Sequence, residues 1–352
     1  MDLSLKAQKY LDQLPWRISG PVRKRFPPKL AYYHVFTQNP LIILIPEDIY
    51  DDESLWAPFF AALGDRKVHF ICLVRGPIEA TPSASPLAQV LARHRAAYPK
   101  HEFTFLANNS KQLEMFKELN AEAVICNQNA LVDERLFDVI PDSPKKYDAI
   151  YNARVSPYKR HYLATRIASL ALVTVVNDKT CKDYFAHITE VLPQAAWLNF
   201  KGQLRVENYK MIPQAELGKY LNQAKVGLCV SASEGAMFAS IEYLLCGLPV
   251  LSTPSVGGRD AFFDSDCAEI ADDTPEALGN GLRALLARLP PPAFVRQKTL
   301  QRMGEHRAIL ADVICRIFAK EGLQLDAREA LSRLFPEQIY KLRPLHQILS
   351  VR

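Results

Sequence analysis

The sequence predicts an α/β protein with two parallel sheets in series. Three observations carry that expectation. Short continuous apolar runs alternate with helix-period segments, as strands buried on both faces alternate with their crossover helices. The alternation restarts after residues 141–146 (PDSPKK), a run of turn formers and charge that suits a linker. Residues 231–250 read as strand end, tight turn, short helix, glycine stop and next strand.

Residues 2–14 have the spacing of a short amphipathic helix, with Leu3, Ala7, Tyr10, Leu11 and Leu14 on one side. A basic, proline-interrupted stretch follows, holding Arg17, Arg23, Lys24, Arg25 and Lys29 beside Trp16 and Phe26. Its plain reading is a solvated edge, and its sharper one a patch for anionic lipid headgroups or an acidic acceptor. Strands are expected over 41–45, 68–74, 102–106 and 123–126, and helices over 55–63, 86–98 and 110–119. Polar residues follow each strand: Glu47, Asp48, Asp51, Asp52 and Glu53, then Arg75, then Asn108, Asn109 and Ser110, then Asn127, Gln128 and Asn129. As a set they read as a rim facing a cleft, since such sheets bind ligands beyond the carboxyl ends of their strands.

In the second half, strands are expected over 149–151, 172–176, 196–200, 226–230, 249–252 and 268–270. Helical patterns between them include 162–170 and 214–224. Three prolines at 290–292 precede a final helical region over 294–349.

Composition narrows the function. A 49% hydrophobic share of 352 residues is ample for packed cores, and a net charge of +5 is only mildly basic. That balance suits an anionic small ligand or an acidic membrane surface rather than nucleic acid. The seven cysteines are scattered without a C-x-x-C pair, and Cys72, Cys126, Cys229 and Cys315 sit in apolar runs, as free thiols of the cytoplasm do. Neither a signal peptide nor a membrane span is expected, which places the chain in the cytoplasm, peripheral to a membrane at most.

Glu242 is the anomaly. On a helix its neighbours are Phe238, Ala239, Leu245 and Cys246, all apolar. It is either a buried carboxylate that needs a partner or a half-exposed one reaching solvent. The segment Glu234-Gly235-Ala236-Met237-Phe238 enters that helix. Gly235 permits close backbone approach, and helix-start N–H groups suit a phosphate; Glu234 equally suits a plain helix-start carboxylate. Gly257, Gly258, Arg259 and Asp260 form a further backbone-rich loop. Arg154 and Lys159 follow the first strand of the second half, and Lys159, Arg160 and His161 read as opening a helix. Cations there fit an anion held at the helix end, or simply a basic surface turn. No G-x-G-x-x-G follows a strand, and neither a Walker A sequence nor a G-x-S-x-G elbow occurs. The eight histidines show no metal-ligand spacing.

Glu234 and Glu242 form an E-x7-E pair followed by Cys-Gly-Leu-Pro-Val-Leu-Ser, and Arg154 and Lys159 form an R-x4-K pair. Residues 212–224, and Asn109-Ser110 with Asn129, Asp133 and Phe137, add further elements in order. Over about residues 105–290 this resembles the family 4 (group 1) retaining glycosyltransferases. The resemblance implies the GT-B fold, two Rossmann-like domains whose parallel sheets face across a cleft. It implies an acceptor-side domain over 1–143, a donor-side domain over 144–325 and a helical tail over 326–352 packing back on the first domain. Arg154 and Lys159 would hold the diphosphate of a nucleotide-sugar donor, Glu242 the ribose, and Glu234 the transferred sugar. Backbone from Gly235, Ala236, Met237 and Phe238, with Gly258, would line the donor site. Asp51, Asp52, Asn109 and Asn129 would stand on the acceptor side. No cofactor or metal is implied, and the acceptor would be a saccharide or lipid-linked saccharide in glycan synthesis. The family's first-strand glycine loop is replaced by Ile-Pro-Glu-Asp-Ile-Tyr-Asp-Asp at 45–52, and Ala130 stands at a family glycine. Two other functions fit: a nucleotide-sugar isomerase using Asp51 and Asp52 for proton abstraction, and a non-catalytic nucleotide- or saccharide-binding module.

Overall fold

A computed structural model describes residues 34–45, 49, 53–80, 85–176, 181–324 and 326. The expected helix over 2–14, the basic stretch behind it, Asp51, Asp52 and residues 327–352 lie outside the described residues.

The first sheet has strand order β1-β2-β3-β4-β5. β1 (His34–Gln38) runs antiparallel to β2 (Leu41–Ile45). β3 (Val68–Leu73), β4 (His101–Ala107) and β5 (Glu122–Ile125) continue in parallel. The expected strands are all present. β1 is additional, because its mixed HVFTQ run lacks the continuous apolar character of a doubly covered strand. Helices α1 (Glu53–Leu63), α2 (Ser85–Ala97) and α3 (Ser110–Glu118) connect the strands. Alternation along the strands divides the side chains between two faces. Ile43, Ile45, Phe70 and Cys72 join Trp56, Phe59, Leu91 and Phe116 in one core. Ile42, Leu44, Ile71 and Leu73 face a second core on the opposite side.

The second sheet begins with β6 (Tyr147–Arg154), β7 (Leu170–Val175) and β8 (Ala196–Trp197), with α4 (Cys181–Val191) before β8. It continues through α5 (Gln214–Leu221), β9 (Ala224–Cys229), β10 (Ser233–Glu234) and α6 (Phe238–Leu245). β11 (Val250–Ser252), β12 (Val256–Gly257), β13 (Ala268–Ile270) and α7 (Pro275–Ala287) complete it. The main sheet is parallel, in the order β13-β11-β9-β6-β7-β8, while β10 and β12 pair separately. The helix expected over 162–170 is instead a 3-10 segment, His161–Arg166. Arg160 before it is left-handed and Ile167 after it is already extended, which leaves too little chain for two α-turns.

A final helix, α8 (Pro292–Lys320), belongs to both halves. Its Val295 and Met303 join the core of the second sheet. Its Leu310, Val313, Ile314, Ile317 and Phe318 cover the second face of the first sheet. Among the described residues this helix, which starts in the second half, packs back on the first sheet.

Candidate active site

Strand order reverses beside β6. The chain runs from β6 outward to β7 and β8, then returns to lay β9, β11 and β13 on the other side. A reversal of this kind opens a crevice beyond the carboxyl ends of the two central strands. β6 ends at Arg154, and β9 leads on to Glu234, so both strands deliver charged residues to one place.

Glu242 is buried in α6, as its apolar neighbours imply. Its partner is Asn152 of β6, whose Nδ2 donates to Oε2 at 3.0 Å. Among the described residues nothing donates to the other oxygen, Oε1. Burial pushes the carboxyl up to about 7, against the pull of the Asn152 bond. The ionised and neutral forms therefore lie close in free energy near neutral pH.

Glu234 stands in β10, paired through β12, and does not cap the helix; α6 starts only at Phe238. The residue before it, Met237, is left-handed at φ 54°, a conformation that costs a non-glycine residue energy and clusters at functional loops. Glu234 is ion-paired with Lys159, the two side chains being 12% and 10% exposed. Tyr151 of β6 braces this pair, its hydroxyl donating to the Lys159 carbonyl at 2.7 Å. Arg154 is exposed, and its side chain makes no hydrogen bond or ion pair to a described residue.

The basic turn departs from its expected form. Lys159, Arg160 and His161 do not open an α-helix; Pro157–Lys159 and His161–Arg166 are 3-10 segments. Arg160 is spent on structure, binding the Val230 carbonyl at 2.7 Å, Thr253 Oγ1 at 2.8 Å and Asp273 at 2.9 Å. The wholly buried Arg259 does the same from the next loop, donating to the carbonyls of Ser231 and Thr253. His161 is buried, and burial with the neighbouring Lys159 charge lowers its pKa to about 3, so it stands neutral.

The expected polar rim also differs. Asn108, Asn127, Gln128 and Asn129 are buried rather than facing a cleft. They fill the seam between the halves: Asn127 Nδ2 donates to the Gly258 carbonyl at 2.7 Å and Asn129 Nδ2 to the Ala236 carbonyl at 2.6 Å. Gly258 N–H in turn donates to the Gly235 carbonyl at 2.6 Å. Gly235 lies so close to Arg75 that a Cβ would overlap the Arg75 carbonyl oxygen. Asn109 caps α3 through Gln112 N–H and donates to Glu79 at 2.6 Å.

The structure thus joins Arg154, Lys159, Glu234 and Glu242 through β6 and its neighbours, with Gly235, Ala236 and Met237 in the loop before Phe238 and Gly258 bonded to that loop from the turn after β12. Asn152 and Tyr151 were not candidates from sequence, and Arg160 was read there as an anion-holding or surface cation rather than a structural one. The only signal for Asn152 is an amide directly after the apolar run Ala149–Tyr151, two residues before Arg154.

No protein-family model matches the chain, and no curated protein matches it in sequence. Solved structures do match it in fold. Sucrose-phosphate synthase from Thermosynechococcus elongatus superposes with TM-score 0.56 at 13% identity, over 89% of this chain and 80% of that one. HepE from Anabaena, solved in complex with UDP, matches with TM-score 0.56 at 12% identity, over 77% and 78%. A glycosyltransferase from Rickettsia africae matches with TM-score 0.53 at 12% identity, over 88% and 84%. The chain has the GT-B fold, two Rossmann-like domains with parallel sheets.

Proposed function

We propose that the protein is a glycosyltransferase that moves a sugar, with retention, from a nucleotide diphosphate sugar to an acceptor hydroxyl. The observation that carries this reading is the set of charged groups at the strand reversal. A buried carboxylate with an unengaged oxygen, an unpaired arginine and a shielded Lys159–Glu234 pair stand beyond the carboxyl ends of β6 and β9. Glu242 takes the ribose hydroxyls, which suit a carboxylate acceptor better than a phosphate would. Arg154 and Lys159 hold the diphosphate and stabilise the charge that develops on it as the sugar leaves. Glu234 contacts the sugar and keeps Lys159 oriented until the diphosphate arrives. The leaving phosphate takes the acceptor's proton, so no side-chain base and no metal is required.

The donor side is residues 144–325 and the acceptor side residues 1–143. The acceptor is a saccharide or lipid-linked saccharide in glycan synthesis. Among the described residues no helix is long and apolar enough to cross a membrane. A cytoplasmic protein that meets membrane-borne acceptors peripherally, through its basic N-terminal stretch, accords with that chemistry. The named structures support the reading through their fold, and HepE through its bound UDP.

The test is incubation with a panel of nucleotide sugars, with and without glycan and lipid-linked saccharide acceptors, following nucleotide release. Acceptor-dependent release is expected. Epimerised donor without release, or binding without turnover, would overturn the proposal in favour of an isomerase or a binding module.

A further inference from the structure

We infer that Asn152 is a positioning residue for donor recognition: it fixes Glu242 so that Oε1 is presented to the ribose hydroxyls, and Tyr243 fixes Asn152 in turn. This rests on the ribose reading of Glu242.

Asn152 is clamped by two adjacent residues of α6. Its side-chain amide donates to Glu242 Oε2 at 3.0 Å, and its backbone N–H donates to the Tyr243 hydroxyl at 2.5 Å. The second bond occurs where the sheet stops supplying partners, for the β6–β9 pairing ends at Ile150 and Gly227. Gly227 makes the reach possible. The wholly buried Tyr243 ring lies against it, and a Cβ at Gly227 would overlap that ring. The strand alternation then places Asn152 and Arg154 on one side of β6, with Tyr151 and Ala153 buried on the other. Ribose acceptor and diphosphate cation are so brought to one side of one strand.

The chemistry of the clamp is specific. A carboxylate that already accepts from an amide on one oxygen has lost its rotational freedom on folding rather than on binding, which strengthens the grip of the other oxygen. The same donor favours the anionic form of a carboxyl that burial disfavours, and an anion is the better acceptor for two hydroxyls. A leucine or valine at 152 would fill the strand equally well, but would leave Oε2 without its donor.

The test is calorimetric titration of UDP, GDP and ADP, and of the 2′,3′-dideoxy counterpart of whichever binds best, into wild type, E242A, N152A and Y243F. Wild type is expected to prefer the ribonucleotide by about tenfold or more, and E242A to lose that preference. N152A is expected to lose most of it, with dideoxynucleotide affinity within about twofold of wild type. Y243F, which keeps the buried ring and removes only the hydroxyl, should fall between. If E242A loses the preference while N152A and Y243F keep it, or if they weaken both ligands equally, Asn152 is merely structural and the inference fails. A wild type that binds both forms equally or neither, or an E242A variant that keeps the preference, sinks the ribose reading itself, and this inference with it.

Discussion

Glu242 concentrates the tension between folding and function. Burial holds its carboxyl at about 7 rather than the ordinary 4.5. A carboxyl raised on folding takes up protons, so the folded state loses stability as pH rises from 4.5 through 7. The loss is on the order of 3 kcal/mol once ionisation is complete. E242Q keeps the shape and the Asn152 bond without the charge. Its melting temperature should exceed that of wild type at pH 8 and equal it at pH 4.5, while nucleotide affinity falls. The buried histidines that stand neutral, His94 and His161, titrate alike in both proteins and cancel. A melting difference that is the same at both pH values would refute this account of the burial. Arg154 carries the opposite expectation, since it has no structural partner among the described residues. R154A should fold normally and lose turnover by about a hundredfold or more, the scale of a lost transition-state charge contact. Turnover near wild type would remove Arg154 from the mechanism. Glu242 was legible as a charge on an apolar face, and Arg154 through the family resemblance that its pairing with Lys159 helps to carry. Asn152 was not, because its partner lies ninety residues away and no spacing rule connects a strand amide with a helix carboxylate.

At the scale of elements, the loop between β10 and α6 is where the two halves touch. It carries a left-handed Met237 and a Gly235 pressed against Arg75, and it is pinned by Asn129 and, through Gly258, by Asn127. G235A should cost about 1–3 kcal/mol by overpacking, and should open the seam. Denaturant unfolding together with small-angle scattering measures both; unchanged stability and radius of gyration would contradict the contact. The strands here were legible because a doubly covered parallel strand is a continuous apolar run. The burial of residues 127–129 was not. Asparagine and glutamine after a strand look the same whether they face water or another domain's carbonyls, and only the packing of distant segments decides. The 3-10 form of His161–Arg166 was hidden for a similar reason. Its residues have helical spacing, but the left-handed Arg160 and the early start of β7 limit the space.

For the whole molecule, α8 ties the second half to the first. Its first part joins the core of the second sheet, and its last turns cover the second face of the first sheet. I314A, at a wholly buried position against the first sheet, should destabilise the protein by about 2–5 kcal/mol. A loss below about 0.5 kcal/mol, the range of surface substitutions, would show that the helix is dispensable there. The order of strands and helices in two parallel-sheet domains was readable from alternation, and the GT-B arrangement was implied by the family resemblance that the E-x7-E and R-x4-K pairs carry. The helical region expected over 294–349 is met by α8 as far as Lys320, and its part beyond residue 326 lies outside the described residues. The claim on which everything rests is that the strand reversal beside β6 is a nucleotide-sugar site. A crystal structure with the tightest-binding nucleoside diphosphate tests it most directly. The ribose hydroxyls should lie on Glu242 Oε1 and the diphosphate between Arg154 and Lys159, with the Lys159–Glu234 pair loosened. A nucleotide bound elsewhere, or one whose ribose makes no contact with Glu242, would contradict it.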